Sequence, residues 1–478
     1  VVVRDDVGLV ASQDPGNVHS EVVQIFLLDN STGAIFFDCT GTLINPRTVI
    51  TAAHCANFIG SEGYNANPLG FTLLIAGGPN TSTRIFNFAN FGFNYAQGGV
   101  ASSVDVIIHP ASNLENFGLP FPFGDVAMIA LAEPVTDLGR MDLLLSPMSG
   151  PFHATIAAYG SFGVGSTGDV GIGFNRLVGE NMVDMLGSFN DLFTATTGAN
   201  LGDVSQNLYW IDMDDPNRPT APVQCVNNAG VLGFPSCTSV AAFQDINWFG
   251  GNALAREAGT AGGDSGSALI VDQAFARKLV AGVLSGGWNW NFFYPGLGVP
   301  GGYGDQSYYN PLYLYHEFIS QNTPYKYVSA VSGGGDWDNP ATWTQELDPG
   351  FFIIDGAGQL VNGLPAGGEP GVGGTTPKWG DVQGTDISGF DPTPNPGLPF
   401  STGGVALSAD ATNPLPAFAA VPDPIDESAG LIADVEAASV NITAPRALAD
   451  LVAPSTTLVG PGSTNFVPHN TFGAPGTA

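Results

Sequence analysis

The chain has 478 residues, more than one ordinary domain needs, and 44% of them are apolar, enough for a substantial core. Twelve Lys plus Arg against 43 Asp plus Glu give a net charge of −31, which argues against nucleic acid or an anionic membrane as partner. Sixty-five glycines and 36 prolines, with few long helical periods, indicate an all-β, turn-rich protein, and four cysteines at pairable positions indicate an oxidising compartment outside the cytosol.

In chain order, Thr42–Ile44 and Thr48–Thr51 are β-branched runs around Asn45-Pro46-Arg47, a hairpin signal, and His54-Cys55 follows the second run. Val106-Ile107-Ile108 reads as a strand ending at His109-Pro110, where a ligand role for the histidine is not expected. Asp125 opens the apolar run Val126–Leu131, a buried strand that would hold its carboxylate out of water. Ala154–Tyr159 is strand-like, and Gly163-Val164-Gly165-Ser166-Thr167-Gly168 after it has the dinucleotide spacing. No helix start follows at Gly171–Phe174, so a hairpin loop is the better reading.

Asp212, Asp214 and Asp215 offer oxygen ligands for calcium. They lack the glycine turn and distal glutamate of a calcium loop and are read as a solvated acidic loop. Cys225 and Cys237 are expected to bridge inside the segment from about 185 to 255. Trp210, Phe234, Trp248 and Phe249 in that segment would either meet a partner near the cleft or pack against the C-terminal part of the chain. Leu312, Tyr315, Phe318 and Ile319 have helical spacing. His316-Glu317 begins a zinc-protease pattern, but Ser320 stands where its second histidine belongs.

A serine becomes nucleophilic when a histidine takes its proton, and that histidine needs a buried acid to orient it. The chain supplies these in the order His54 in Thr-Ala-Ala-His-Cys, Asp125, and Ser265 in Gly-Gly-Asp-Ser-Gly-Ser-Ala. That order is not the subtilisin or α/β-hydrolase one, and Ser267 stands where the nucleophile elbow needs glycine. Together the motifs resemble the chymotrypsin-like serine protease family over roughly residues 20–322, the 185–255 insertion excepted.

The resemblance implies two antiparallel six-stranded barrels with a C-terminal helix. It implies a Cys39–Cys55 bridge beside His54, and an oxyanion hole from the amides of Gly263 and Ser265. Ser285 would hydrogen-bond Asp125, and Gly287 would pair with substrate backbone, with Gly286 where the family usually has tryptophan. Gly259, six residues before the nucleophile, becomes the pocket floor, with Gly287 and Ser307 as walls. That describes a neutral, fairly open slot favouring Leu, Phe, Tyr or Met; a two-residue shift in the alignment would bring in Asp305 instead. Many relatives of this kind bury a new Ile- or Val-led N-terminus on the acid before the serine, here Asp264. No Val-Gly-Gly is present at Val1 and the stretch to Cys39 is long, so another internal partner for Asp264 is expected.

Residues 1–325 are therefore read as the protease domain and 326–478 as a β-rich, Gly/Pro-rich extension. Gly334–Trp343 resembles the opening rung motif of bacterial autotransporter passengers, so the extension is either the start of a β-solenoid or a small β-domain behind a linker. No transmembrane span or signal peptide is found, and the start at Val1 reads as processing or trimming. The expected function is a secreted or cell-surface, bacterial serine endopeptidase acting on proteins or peptides without metal or cofactor. The alternative is a surface adhesin or structural passenger on a silent protease-like scaffold.

Overall fold

The computed structural model describes residues 1–56, 70–112, 124–192, 206–217, 224–226, 236–238, 248–249, 253–288, 299 and 301–380. The β-branched and alternating runs of the first 131 residues form six strands that close on themselves. Val22–Asp29 pairs with Ile35–Asn45, then in turn come Thr48–Thr51, Ala127–Leu131, Ala101–Ile108 and Phe71–Gly77, which returns to Val22–Asp29. Closure leaves no exposed strand edge. Val23, Ile25 and Leu27 share the main core with Leu43, Val49, Leu73 and Ile75. On the opposite face, Phe26, Leu74 and Ala76 form a separate cluster with Ile85 of the helix Ser82–Phe91.

The second half departs from expectation. Among the described residues no second closed six-stranded barrel is present; this sheet has ten strands and an open path. Along that path run Leu177–Val183, Phe152–Ala158, Ala268–Val271, Leu279–Trp288, Gln306–Pro311, Asn207–Asp212 and Met185–Ser188. Its two end strands adjoin in sequence but are interrupted at Asp184, whose N–H turns to the Trp210 carbonyl (3.1 Å). The sheet is also larger than the resemblance implies because two regions assigned outside the barrel join it. The insertion gives Met185–Ser188 and Asn207–Asp212, and the extension gives Phe351–Ile354 and Leu360–Asn362. Phe351–Ile354 lies parallel to Asp142–Leu144, which lies parallel to Leu279–Trp288.

Further along the extension, Trp379 is buried against Phe152 and Tyr209, and its Nε1 donates to the Met148 carbonyl (2.7 Å). The rung-like segment lies in the loop of an antiparallel hairpin, Val328–Ala330 with Trp343–Gln345, and Trp337 meets Trp343 edge-on. The remainder of the solenoid expectation, residues 381–478, lies outside the described residues.

Val2–Val3 forms a strand of its own, parallel to Ser161–Val164 and antiparallel to Ala258–Gly259. The glycine-rich dinucleotide-like segment is the turn between Ser161–Val164 and Gly168–Ile172, a hairpin as the sequence indicates. Leu312, Tyr315, Phe318 and Ile319 are buried on the turn Leu312–Tyr315 and the helix His316–Asn322. Among the described residues, no helix is long and apolar enough to cross a membrane.

Candidate active site

His54 sits in the helical turn Ala53–Cys55, directly after the barrel strand Thr48–Thr51, with Ala52 and Ala53 fully buried beneath it. Asp125 lies just before the strand Ala127–Leu131, which pairs with Thr48–Thr51, so one ladder sets both residues. Asp125 is fully buried. Its Oδ1 accepts the His54 backbone N–H (2.8 Å), and its Oδ2 lies 2.7 Å from His54 Nδ1. Ser285 Oγ donates to the same Oδ2. A buried carboxylate held by three groups fixes both the ring orientation and the tautomer of its histidine.

Ser265 lies in a tight loop that glycine makes possible. Gly263 and Gly266 have φ of +85° and +82°. A Cβ on Gly266 would fall 2.0 Å from Thr51 Oγ1 and 2.2 Å from the Thr40 carbonyl oxygen, so no side chain fits there. The amide of Asp264 turns to the Ala261 carbonyl (3.0 Å) and that of Gly266 to the Leu284 carbonyl (2.8 Å). Among the described residues the amides of Gly263 and Ser265 donate to no backbone carbonyl. The Ser265 hydroxyl likewise has no hydrogen-bond partner among the described residues, so the structure joins His54 to Asp125 and not to Ser265.

Cys39 and Cys55 form a disulfide beside this turn. Their sulfurs and a His54 ring nitrogen lie within 4.8 Å of one another, a spacing that free thiolates could use for a metal. Bridged sulfurs offer no thiolate, so the group pins the histidine turn and does not make a zinc site.

The partner of Asp264 corrects the sequence reading. The α-ammonium of Val1 lies 2.7 Å from Asp264 Oδ2, both groups fully buried, and it also donates to the Ser161 carbonyl (2.5 Å). Gly160 N–H donates to Oδ1 (2.9 Å) and Ala261 N–H to Oδ2 (2.8 Å). Burial pushes the Asp264 carboxyl up, and the Val1 ammonium opposes that shift. The apolar run Val1-Val2-Val3 is the sequence signal for this seat, and it does not require a following Gly-Gly.

Gly259 is buried and pairs with Val2. Gly286 and Gly287 pair with Tyr308 and Ser307 across the neighbouring strands. Thr260 Oγ1 donates to Ser307 Oγ (2.7 Å). The Asp305 carboxylate accepts the Gly301 N–H (2.6 Å).

Several other readings change. Trp210, Trp248 and Phe249 are fully buried, so none offers a surface to a partner; Phe234 lies outside the described residues. Trp210 and Trp248 donate their indole N–H groups to Gly187 (2.8 Å) and Gly304 (3.0 Å). Asp212, Asp214 and Asp215 are buried, not solvated, and Asp212 accepts the Trp248 N–H (2.9 Å). Backbone register sets Cys225 opposite Cys237, while their side chains lie outside the described residues. His109 packs edge-on against Tyr315 and Phe318, as its strand-end reading allows. Thr40 was missed altogether, since a threonine after a cysteine carries no motif.

Residues 11–141 match the family model described as Trypsin. No curated protein matches the chain. A trypsin-clan, serine-protease-like lobe is therefore present at 11–141, and it contains His54 and Asp125.

Proposed function

Taking that lobe as the premise, we propose that the protein is a serine endopeptidase working through His54, Asp125 and Ser265. The observation that supports this best is the His54–Asp125 pair, 2.7 Å long, whose carboxylate is fully buried and also held by Ser285. In this reading Ser265 Oγ attacks the peptide carbonyl while His54 Nε2 takes its proton. His54 then gives that proton to the leaving amine, and water repeats the sequence on the acyl-enzyme. Asp125 holds the Nδ1–H tautomer and stabilises the imidazolium without being protonated itself. The amides of Gly263 and Ser265 receive the oxyanion, and each such donor contributes about 3 kcal/mol in enzymes of this chemistry. The serine–histidine hydrogen bond is commonly long in unliganded enzymes and tightens with substrate. The Cys39–Cys55 disulfide supports a site of action outside the cytosol.

The second reading is the silent scaffold, an adhesin or structural passenger, and the unjoined Ser265 hydroxyl favours it. An autotransporter setting rests on residues 334–343 alone. A fluorophosphonate probe separates the two readings. Labelling of the wild type and not of Ser265→Ala or His54→Ala supports the enzyme. Folded wild-type protein that takes no label and cleaves no peptide supports the scaffold.

A further inference from the structure

We propose that Met213 and the Thr260–Ser307 hydroxyl pair close the acyl-side pocket a short way in, so that cleavage follows small uncharged residues such as alanine. The proposal rests on the endopeptidase reading and names the substrate class of the same site.

On the endopeptidase reading the acyl-side pocket would lie between the loop leading to Ser265 and the paired strands Leu279–Trp288 and Gln306–Pro311. Thr260 belongs to the first wall and Ser307, the register partner of Gly287, to the second. Their hydroxyls meet at 2.7 Å. An aromatic ring needs about 3.5 Å of clearance to each face, so nothing of that size passes between two hydrogen-bonded oxygens. Separating them would leave Ser307, which is buried, without this partner.

Behind the pair, the space that a side chain at 259 would take is already filled. A Cβ built on Gly259 would lie 3.1 Å from Met213 Sδ and 3.3 Å from Met213 Cβ. Met213 is fully buried with Val2 and Tyr303, and Ala261 of the nucleophile loop packs on the group. Its backbone is held on both sides, N–H to the Asp305 carbonyl (3.1 Å) and carbonyl to the Gly304 N–H (2.7 Å). The residue arrives at the end of Asn207–Asp212, a strand of the insertion. The floor is thus a thioether set above a glycine, with no acid on it. The Asp305 carboxylate accepts the Gly301 N–H, so among the described residues it is engaged and not held out toward a substrate lysine or arginine. A slot this short gains little from a long apolar side chain, whose extra carbons stay in water.

The test is a set of peptides differing only at the acyl-side residue, Ala, Val, Leu, Phe and Arg, with kcat/KM measured for wild type, Ser307→Gly and Met213→Ala. The wild type is expected to cleave after Ala at least tenfold faster than after Phe or Arg. Ser307→Gly is expected to raise the Phe/Ala ratio at least tenfold, and Met213→Ala the Leu/Ala ratio. Each ratio is internal to one preparation, so a partly folded variant still reports it. Ser265 labelling combined with faster cleavage after Phe, Leu or Arg overturns the pocket and leaves the enzyme standing. Unchanged ratios in both variants overturn it as well. Failure of labelling and of all cleavage overturns the endopeptidase reading, and the pocket with it.

Discussion

Thr40 donates its backbone N–H to the Ser265 carbonyl (2.9 Å) and its hydroxyl to the Gly263 carbonyl (3.1 Å). A strand of the closed barrel therefore grips the loop that carries Ser265, and the same hydroxyl accepts the Tyr159 N–H (3.2 Å). Thr40→Val keeps the shape and strands two buried polar groups, a cost of about 1–3 kcal/mol each. The expected result is lower stability in urea and a kcat roughly tenfold down, with Thr40→Ser near wild type. Equal kcat in the Val and Ser variants would show that the hydroxyl does not position the loop.

Extending the chain by one residue before Val1 replaces its ammonium with an amide. Asp264 then lies buried without its counter-charge, and breaking a buried pair costs about 3–5 kcal/mol. Activity is expected to fall by about two to three decades and to return when the added residue is trimmed. Asp264→Asn is expected to lose activity similarly. An extended protein with full activity sinks this account.

Asp125→Asn leaves the shape of the histidine site and takes away the charge that fixes its tautomer. A fall in kcat of about 10⁴ is expected, by analogy with triads of this kind. Ser285→Ala removes one of three contacts to Asp125 and leaves both His54 contacts, so its effect is expected to be far smaller. Comparable losses in the two variants would contradict the division of roles.

His109 is buried between Tyr315 and Phe318, and burial lowers its pKa to about 4. Its unfolded value is about 6.5, so the folded state prefers the neutral ring. The stability it contributes is complete above pH 6.5 and is lost as pH falls toward 4, at up to about 1.4 kcal/mol per pH unit. His19, also lowered to about 4 by burial, acts in the same direction. Denaturant midpoints between pH 7.5 and 4 should fall less steeply for His109→Phe than for the wild type. Parallel curves would refute the assignment.

Trp379→Ala removes a buried indole that packs on Phe152 and Tyr209 and bonds Met148. A loss of about 3–5 kcal/mol is expected, the usual cost of deleting a large buried aromatic. Unchanged urea unfolding would show that this part of the extension does not contribute to the sheet's stability.

How much of this the sequence carried depended on distance along the chain. His54 stands in a short local motif and Asp125 opens a run that could only be buried, so their pairing was readable; Ser265 also stands in a local motif, but no hydrogen bond joins it to His54. The Val1–Asp264 pair joins groups more than two hundred and fifty residues apart, and nothing local announces it. Asn207–Asp212 is buried at all six positions, so it shows no alternation and gives no sign of which sheet it joins. That is why Trp210 was open to reading as a surface residue and why the second sheet was expected to be smaller and closed. Phe351–Ile354 was recognisable as strand-length; its partner Asp142–Leu144, two hundred residues earlier, was not.

The strand Val2–Val3 has one further consequence. Val2 pairs with Gly259 while Val1 meets Asp264, so on the endopeptidase reading seating the N-terminus and shaping the pocket beside Gly259 would be one coupled equilibrium. Coupling of that sort runs equally in both directions. An inhibitor that prefers the completed cleft must tighten the hold on Val1 by the same factor by which a seated Val1 tightens the hold on the inhibitor. The rate at which an amine-reactive reagent captures the Val1 nitrogen therefore becomes a gauge of cleft occupancy, read from a group the inhibitor never touches.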